Sequence, residues 1–145
     1  MRSLFDVNVV IALLDPQHSF HSKAHRFWKE VRSKEWASCP LVENGVARIL
    51  IGASYPGVSS YTSEDVFYLL RNMISSTEHE FWADDLSLLD ESRFDAKRIL
   101  GPKQLTDIYL LGLAASKGGR LVTFDRRVTS SAIPGASEEN LFVIE

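Results

Sequence analysis

The sequence has a single cysteine, no long hydrophobic run and no excess of basic residues. Cys39 has no partner for a disulfide, which favours a reduced thiol and a cytoplasmic location. No stretch approaches the roughly 18 to 20 uninterrupted apolar residues that a membrane-spanning helix needs. Asp6 and Asn8 interrupt the first apolar run, and no small-residue cleavage site follows it, so we expect no signal peptide. These absences predict a cytoplasmic protein that makes no membrane contact.

The composition is that of a globular domain. The chain has 145 residues, of which 45% are hydrophobic and 24% charged, so we expect one domain spanning residues 1–145 with a sizeable core. A net charge of -3 argues against a broad basic face for nucleic acid. If several carboxylates bind one metal, however, the rest of the surface is close to neutral and has room for local basic patches.

The stretch from Thr106 to Asp125 carries an aspartate at each end of a helix-turn-strand pattern. We expect Thr106 to cap a helix with Asp107 in its first turn and Gly118-Gly119 at its end. The apolar run 121–124 then predicts a buried strand. A helix of about eleven residues is roughly 16 Å long, and a strand of about five residues covers nearly that distance back. Asp107 and Asp125 should therefore lie at the same end of the fold.

Two further acids follow predicted strands. Asp6 comes directly after the short buried pattern Ser3-Leu4-Phe5, and Glu43 falls in the first turn of a helix over 41–50 that follows a strand over 35–39. Open parallel sheets form their ligand crevice at this carboxyl edge. Because one such acid is also an ordinary helix cap, only the repetition indicates a site.

The remaining pattern alternates helices with strands. We predict one helix over Ser19–Lys34 and another over Phe94–Leu100. Between them, a capping box formed by Thr62 and Asp65 predicts the start of a further helix. We predict a third strand over His79–Ala83 and a fifth over Leu141–Ile144, which complete a parallel sheet. Asp84 and Asp85 follow the third strand, and we expect them to cap the next turn. The predicted fold class is a three-layer α/β/α architecture with a central, mostly parallel five-stranded sheet.

Three histidines, His18, His21 and His25, invite a zinc interpretation, since His21 and His25 share a helix face. No other cysteine or histidine cluster completes such a site, so we expect them to be surface residues.

Four carboxylates without a fixed lysine or arginine among them repel one another, and a divalent cation relieves that repulsion. Oxygen ligands favour Mg²⁺ or Mn²⁺, which is usually held by one or two carboxylates together with water and a substrate phosphate. Such a metal lowers the pKa of bound water and neutralises phosphate charge. The residues alone thus predict metal-assisted chemistry on a phosphate ester.

The sequence resembles the PIN domain of VapC toxins over nearly its whole length. The resemblance rests on four motifs in the family's order: Phe5-Asp6-Val7-Asn8, Cys39-Pro40-Leu41-Val42-Glu43-Asn44-Gly45, Thr106-Asp107-x-Tyr109-Leu110-Leu111 and Thr123-Phe124-Asp125. It implies a Mg²⁺- or Mn²⁺-dependent endoribonuclease, the toxin of a type II toxin-antitoxin pair, with an RNA substrate, a VapB-like antitoxin and a homodimeric state.

The resemblance also implies roles for particular residues. Asp6, Glu43, Asp107 and Asp125 correspond to the catalytic acidic quartet, with Asp6 and Asp107 as metal ligands and Asn8 and Thr123 in support. The implied product has a 5′-phosphate and a 3′-hydroxyl. Which acid orients the attacking water stays open, and Asp125 corresponds to a position that can lie at the rim of the site.

Basic residues flank these acids. Lys103, Arg126 and Arg127 are candidates to bind RNA phosphates, although solvated surface charge explains them equally well. Two alternatives to a ribonuclease stay open: a phosphatase or phosphoryl-transfer domain with Asp6 as nucleophile, and a non-enzymatic PIN-like module whose acidic pocket docks an arginine of a partner.

Overall fold

The structure, a computed structural model, describes residues 1–31, 34–57 and 61–145. Strands and helices alternate as the sequence pattern predicts. The strands are β1 (Ser3–Phe5), β2 (Trp36–Ser38), β3 (His79–Phe81), β4 (Arg120–Thr123) and β5 (Leu141–Val143). The helices are α1 (Val7–Leu14), α2 (His21–Glu30), α3 (Pro40–Ile51), α4 (Ser63–Ser75) and α5 (Leu105–Ser116).

All five strands form one parallel sheet in the order β3-β2-β1-β4-β5. Strands β2 and β3 lie on one side of β1, whereas β4 and β5 lie on its other side, so the strand order reverses between β1 and β4. These two strands pair with Phe5 opposite Val122. Helices flank both faces, as in the predicted three-layer fold: α2 packs on Phe5 through aromatic contacts, and α5 packs against β1 and β4. The crevice expected of an open α/β sheet therefore lies where β1 and β4 end.

The core forms around the short central strands. Trp36 of β2 is fully buried, stacks on Phe5 with ring centroids 5.5 Å apart, and donates its indole N–H to the Thr77 hydroxyl over 2.7 Å. Such packing fixes three-residue strands that have few ladder hydrogen bonds of their own. It thereby fixes the edge from which the acids project.

The capping box at the start of α4 is confirmed. The Thr62 hydroxyl accepts the N–H of Asp65, and the Asp65 carboxylate accepts the N–H of Thr62. Each side chain satisfies an N–H that the first helical turn leaves without a partner.

Two predicted helices differ in the structure. The segment Phe94–Leu100 contains only one 3₁₀ turn, Ala96–Arg98, because the N–H of Asp95 bonds to the Ala132 carbonyl and its side chain caps the turn. Helix α2 is shorter than the predicted Ser19–Lys34, and residues 32–33 of that prediction lie outside the described residues.

The start of α5 also differs from the prediction. A 3₁₀ turn over Pro102–Gln104 runs directly into the helix, which begins at Leu105. Thr106 is therefore inside the first turn and does not cap it. Asp107 stays in that turn, as predicted.

The adjacent acids Asp84 and Asp85 do not cap the turn that follows them. Asp84 accepts the N–H of Leu41 at the start of α3 over 3.0 Å, and Asp85 forms an ion pair with Lys117 over 2.8 Å. Capping was the right role for Asp84, but the helix it caps is distant in sequence.

Among the described residues, no helix has the length and apolar content needed to cross a bilayer.

Candidate active site at the carboxyl edge of the sheet

Asp6 is the most tightly held of the predicted site residues. It follows β1 directly, caps α1, and is 6% exposed. One carboxylate oxygen accepts the N–H of Val7 and the other accepts the hydroxyl of Thr123, each over 2.7 Å. Burial raises the pKa of Asp6, although the bonds from Thr123 and Val7 oppose that shift. The two hydrogen bonds thus fix the Asp6 carboxylate in place, while its burial disfavours the charged form.

Thr123 links the ends of β1 and β4. Its side chain is fully buried, its hydroxyl donates to Asp6, and the same oxygen accepts the N–H of Asp125 over 3.1 Å. One hydroxyl therefore orients the first acid and the backbone of the last. Asn8, the other residue expected to support the site, lies exposed in the first turn of α1.

Asp107 reaches the same edge from α5. It lines a cavity of about 200 Å³ together with Lys103, Asp125 and Arg127. Burial, then the neighbouring charges of Asp6 and Asp125, raise the pKa of Asp107 to about 6, and Arg127 only partly offsets them. The two aspartates at the ends of the helix-turn-strand stretch therefore meet, as their matched lengths predict.

Asp125 is neutralised by its own loop. The Arg127 guanidinium donates two hydrogen bonds to the carboxylate, each over 3.0 Å, and these hold the pKa of Asp125 below its ordinary value. The Arg127 side chain is 79% exposed and the Asp125 side chain 24% exposed, so the pair sits at the mouth of the cavity. An arginine in this position can exchange a carboxylate for a phosphate, which offers the same paired acceptors.

Glu43 lines a different hollow from the cavity that Asp107 and Asp125 line. It is in the first turn of α3 and lines a groove between α3 and α4. Its carboxylate accepts the Ser38 hydroxyl over 2.7 Å. Within residues 1–31, 34–57 and 61–145, no hydrogen bond joins Glu43 to the aspartates, and no three acidic, histidine or cysteine side chains are spaced as a ready metal cluster.

The donor chemistry of Asp6 and Asp107 fits a hard divalent cation. Asp107 has a raised pKa because it shares a desolvated space with two other carboxylates. A cation there would remove that repulsion, and Mg²⁺ commonly takes only one or two protein carboxylates and completes its shell with water and phosphate. Each oxygen of Asp6 accepts one described hydrogen bond and keeps a second lone pair.

The pKa of Asp107 gives a testable pH dependence. A carboxyl whose pKa rises from 3.8 to about 6 on folding contributes stability below pH 3.8 and loses it as the pH rises through 6. In chelator, we expect the free energy of unfolding of the wild type to be higher at pH 5 than at pH 7. Between these two pH values it should fall by about 1 kcal/mol more in the wild type than in Asp107→Asn. Urea unfolding of both proteins at the two pH values measures this difference. Equal pH dependence of the two proteins would contradict the raised pKa.

The three helix-region histidines have local partners. Ring nitrogens of His21 and His25 bond to the carbonyls of Ala12 and Leu13 at the end of α1, over 2.7 and 3.1 Å. Because a carbonyl only accepts, both ring nitrogens are donors. His18 accepts the N–H of Phe20 through Nδ1.

Ser38 and His79 are the site-proximal residues that sequence reasoning placed in strands without a role. Ser38 ends β2 and contacts both Glu43 and His79. The signal in the sequence was a polar residue at the end of a short buried strand, next to a predicted acid.

The fold and site define a PIN-like α/β/α domain with an acidic cavity at the switch point of a parallel sheet. The chain is 40% identical over 141 residues to Ribonuclease VapC44 of Mycobacterium tuberculosis, covering 97% of this chain and 98% of that protein. It is also 40% identical over 138 residues to Ribonuclease VapC39 of the same organism, covering 95% and 99%. The chain belongs to the VapC ribonuclease family.

One solved structure shares the fold at low sequence identity. The crystal structure of VapBC2 from Rickettsia felis, bound to a DNA fragment from its promoter, superposes with a TM-score of 0.57 at 14% identity and full coverage of both chains. No family model matches the chain.

Proposed function

We propose that this protein is a Mg²⁺- or Mn²⁺-dependent endoribonuclease and the toxin of a type II VapBC toxin-antitoxin pair. The observation that carries the proposal is the crowding of Asp6, Asp107 and Asp125 at the end of β1 and β4, in a chain 40% identical to two VapC ribonucleases. Asp6, Glu43, Asp107 and Asp125 are the proposed catalytic quartet.

In this proposal Asp6 and Asp107 hold the metal. Thr123 orients Asp6 through its hydroxyl, and burial keeps the Asp6 carboxylate short of competing water, whereas Asp107 is half-buried. A bound Mg²⁺ or Mn²⁺ supplies a water of lowered pKa and neutralises phosphate charge. The expected products carry a 5′-phosphate and a 3′-hydroxyl.

The basic side chains suggest how RNA is held. Lys103 and Arg127 line the cavity, whereas Arg126 is exposed next to it. Arg127 already binds Asp125, so an incoming phosphate competes for that guanidinium and frees the Asp125 carboxylate. Phosphate contacts of this kind position RNA without reading its sequence.

The geometry disfavours Asp6 as a phosphoryl-transfer nucleophile. The Asp6 side chain is 6% exposed, so an approaching phosphorus atom has little access to its oxygens. An arginine-docking module has support in the Arg127–Asp125 pair, which places a guanidinium at the acidic cavity. A cleavage assay separates that alternative from a ribonuclease.

We expect the purified protein to cleave RNA with Mg²⁺ or Mn²⁺ and to lose that cleavage completely with excess chelator. Adding the metal back should restore it, because the carboxylates stay in place without the ion. The assay follows fragment formation from total RNA and maps the new ends. Cleavage that persists in chelator contradicts the proposed metal dependence.

The remaining proposals concern partners and location. A VapB-like antitoxin is the proposed inhibitor, a homodimer the proposed state, and the cytoplasm the proposed compartment. Exposed aromatic side chains of α4, Phe67 at 44% and Tyr68 at 69%, offer apolar surface for protein contacts. The mass of the purified protein in solution, alone and co-expressed with the neighbouring gene product, tests the assembly.

A further inference from the structure

Glu43 ends a chain of hydrogen bonds that joins three elements of the fold. Its carboxylate oxygen Oε2 is 2.7 Å from Ser38 Oγ, and that hydroxyl is 2.8 Å from His79 Nε2. Ser38 ends β2, Glu43 lies in α3, and His79 begins β3. A side chain on the helix is thus tied to two neighbouring strands of the sheet.

The direction of these bonds follows from counting protons. A carboxylate only accepts, so the single Ser38 hydroxyl proton points to Glu43. The Ser38 oxygen must then accept from His79, which requires a proton on Nε2. The chain of hydrogen bonds runs from His79 Nε2 through Ser38 Oγ to Glu43 Oε2.

The surroundings restrict movement of Ser38 and His79. Ser38 is 3% exposed. The His79 ring packs edge-on against Trp36, with centroids 4.6 Å apart, and Trp36 is itself anchored by Thr77. Burial and the charge of Arg2 lower the pKa of His79, while Glu80 acts in the opposite direction, so the ring is a neutral donor near pH 7.

We propose that Ser38 and His79 are positioning residues that hold the Glu43 carboxylate in one orientation for RNA cleavage. A free glutamate side chain rotates about three bonds, and ordering it during the reaction costs free energy. Holding it beforehand removes that cost, as in other preorganised sites. The inference rests on the proposed function, because it assigns these residues to the reaction in which Glu43 takes part.

The first experiment measures cleavage by Ser38→Ala and its control Ser38→Thr, which keeps the hydroxyl. We expect Ser38→Ala to lower kcat by about tenfold with KM unchanged, the smaller end of the 10- to 100-fold losses known for groups that orient metal ligands. Ser38→Thr should retain most of the wild-type kcat. In a Glu43→Gln background, Ser38→Ala should cause no further loss, because Ser38 acts only through Glu43.

A second experiment reads the contact without activity. In the metal-free protein, ¹⁵N NMR of the histidine side chains should show His79 with its proton on Nε2, and Ser38→Ala should shift that signal. His79→Gln keeps an N–H donor and should retain more kcat than His79→Phe, which keeps only a ring against Trp36. Circular dichroism and thermal unfolding establish that each variant is folded.

Each failure has its own signature. Wild-type protein that does not cleave RNA with Mg²⁺ or Mn²⁺ overturns the proposed function. An active wild type with equal kcat in Ser38→Ala overturns the positioning role, as does an undiminished Ser38→Ala effect in Glu43→Gln. A His79 proton on Nδ1 overturns the hydrogen-bond chain itself.

Discussion

Replacing Asp6 by asparagine is expected to lower RNA cleavage by about 100-fold or more while the chain stays folded. The carboxylate is a proposed metal ligand, and the loss of a direct ligand exceeds the 10- to 100-fold that groups behind the ligands contribute. Asparagine keeps an oxygen that can cap α1, because it is as good an N-cap as aspartate. Asp107→Asn should have a similar effect. Initial rates on one RNA substrate with saturating Mg²⁺ measure both losses.

The same substitution should not weaken the fold. Burial raises the pKa of Asp6, which means that the folded state disfavours its charge. Removing that charge should leave the midpoint of urea unfolding unchanged or higher in chelator. Glu91→Gln, which alters an exposed carboxylate elsewhere, serves as a control with wild-type rates. Full activity in Asp6→Asn would contradict the proposed site, and an unfolded variant would contradict the stability argument.

Gly119→Ala is expected to lower the free energy of unfolding by about 3 kcal/mol. An added Cβ at this position would lie 2.7 Å from the Arg2 carbonyl oxygen and 2.8 Å from the Trp82 ring. The Arg2 carbonyl accepts the N–H of Arg120, so it cannot move without disturbing the pairing of β1 with β4. Overpacking of a rigid interior typically costs 1 to 3 kcal/mol, and backbone is the least yielding neighbour.

The adjacent glycine provides the matched control. Gly118 has a φ of 68° and open space around its Cβ position, so Gly118→Ala should cost only the left-handed backbone strain, about 1 kcal/mol. Urea unfolding of both variants measures the difference. Equal losses for Gly118→Ala and Gly119→Ala would contradict the steric argument for Gly119.

The fold was readable from the sequence because its signals are local. Short apolar runs predicted the five strands, of which β3 and β5 are partly exposed, and the capping box predicted α4. The predicted helix at Phe94–Leu100 was wrong because its outcome depends on distant partners. Phe94 packs in the core, and the N–H of Asp95 bonds to Ala132, which holds the chain out of a helix.

The site was partly readable for the same reason. Acids that follow parallel strands gather at one edge of the sheet, which places Asp6 and Asp125 together, and the matched lengths of α5 and β4 bring Asp107 to the same edge. Sequence reasoning placed Glu43 at that edge as well, and it assigned no role to Ser38 or His79. The Ser38–His79 contact joins residues 41 positions apart, and only the pairing of β2 with β3 brings them together.

The sequence by itself determined which residues carry charge at the carboxyl ends of the strands, and that Gly118 ends α5, because both depend on neighbours within a few positions. The tertiary structure alone decided three further features. Asp107 acquires a pKa of about 6 from burial and from Asp6 and Asp125, Arg127 neutralises Asp125, and Glu43 is bound by Ser38. Electrostatic energies and close contacts depend on distances between elements, and those distances exist only once the sheet has formed.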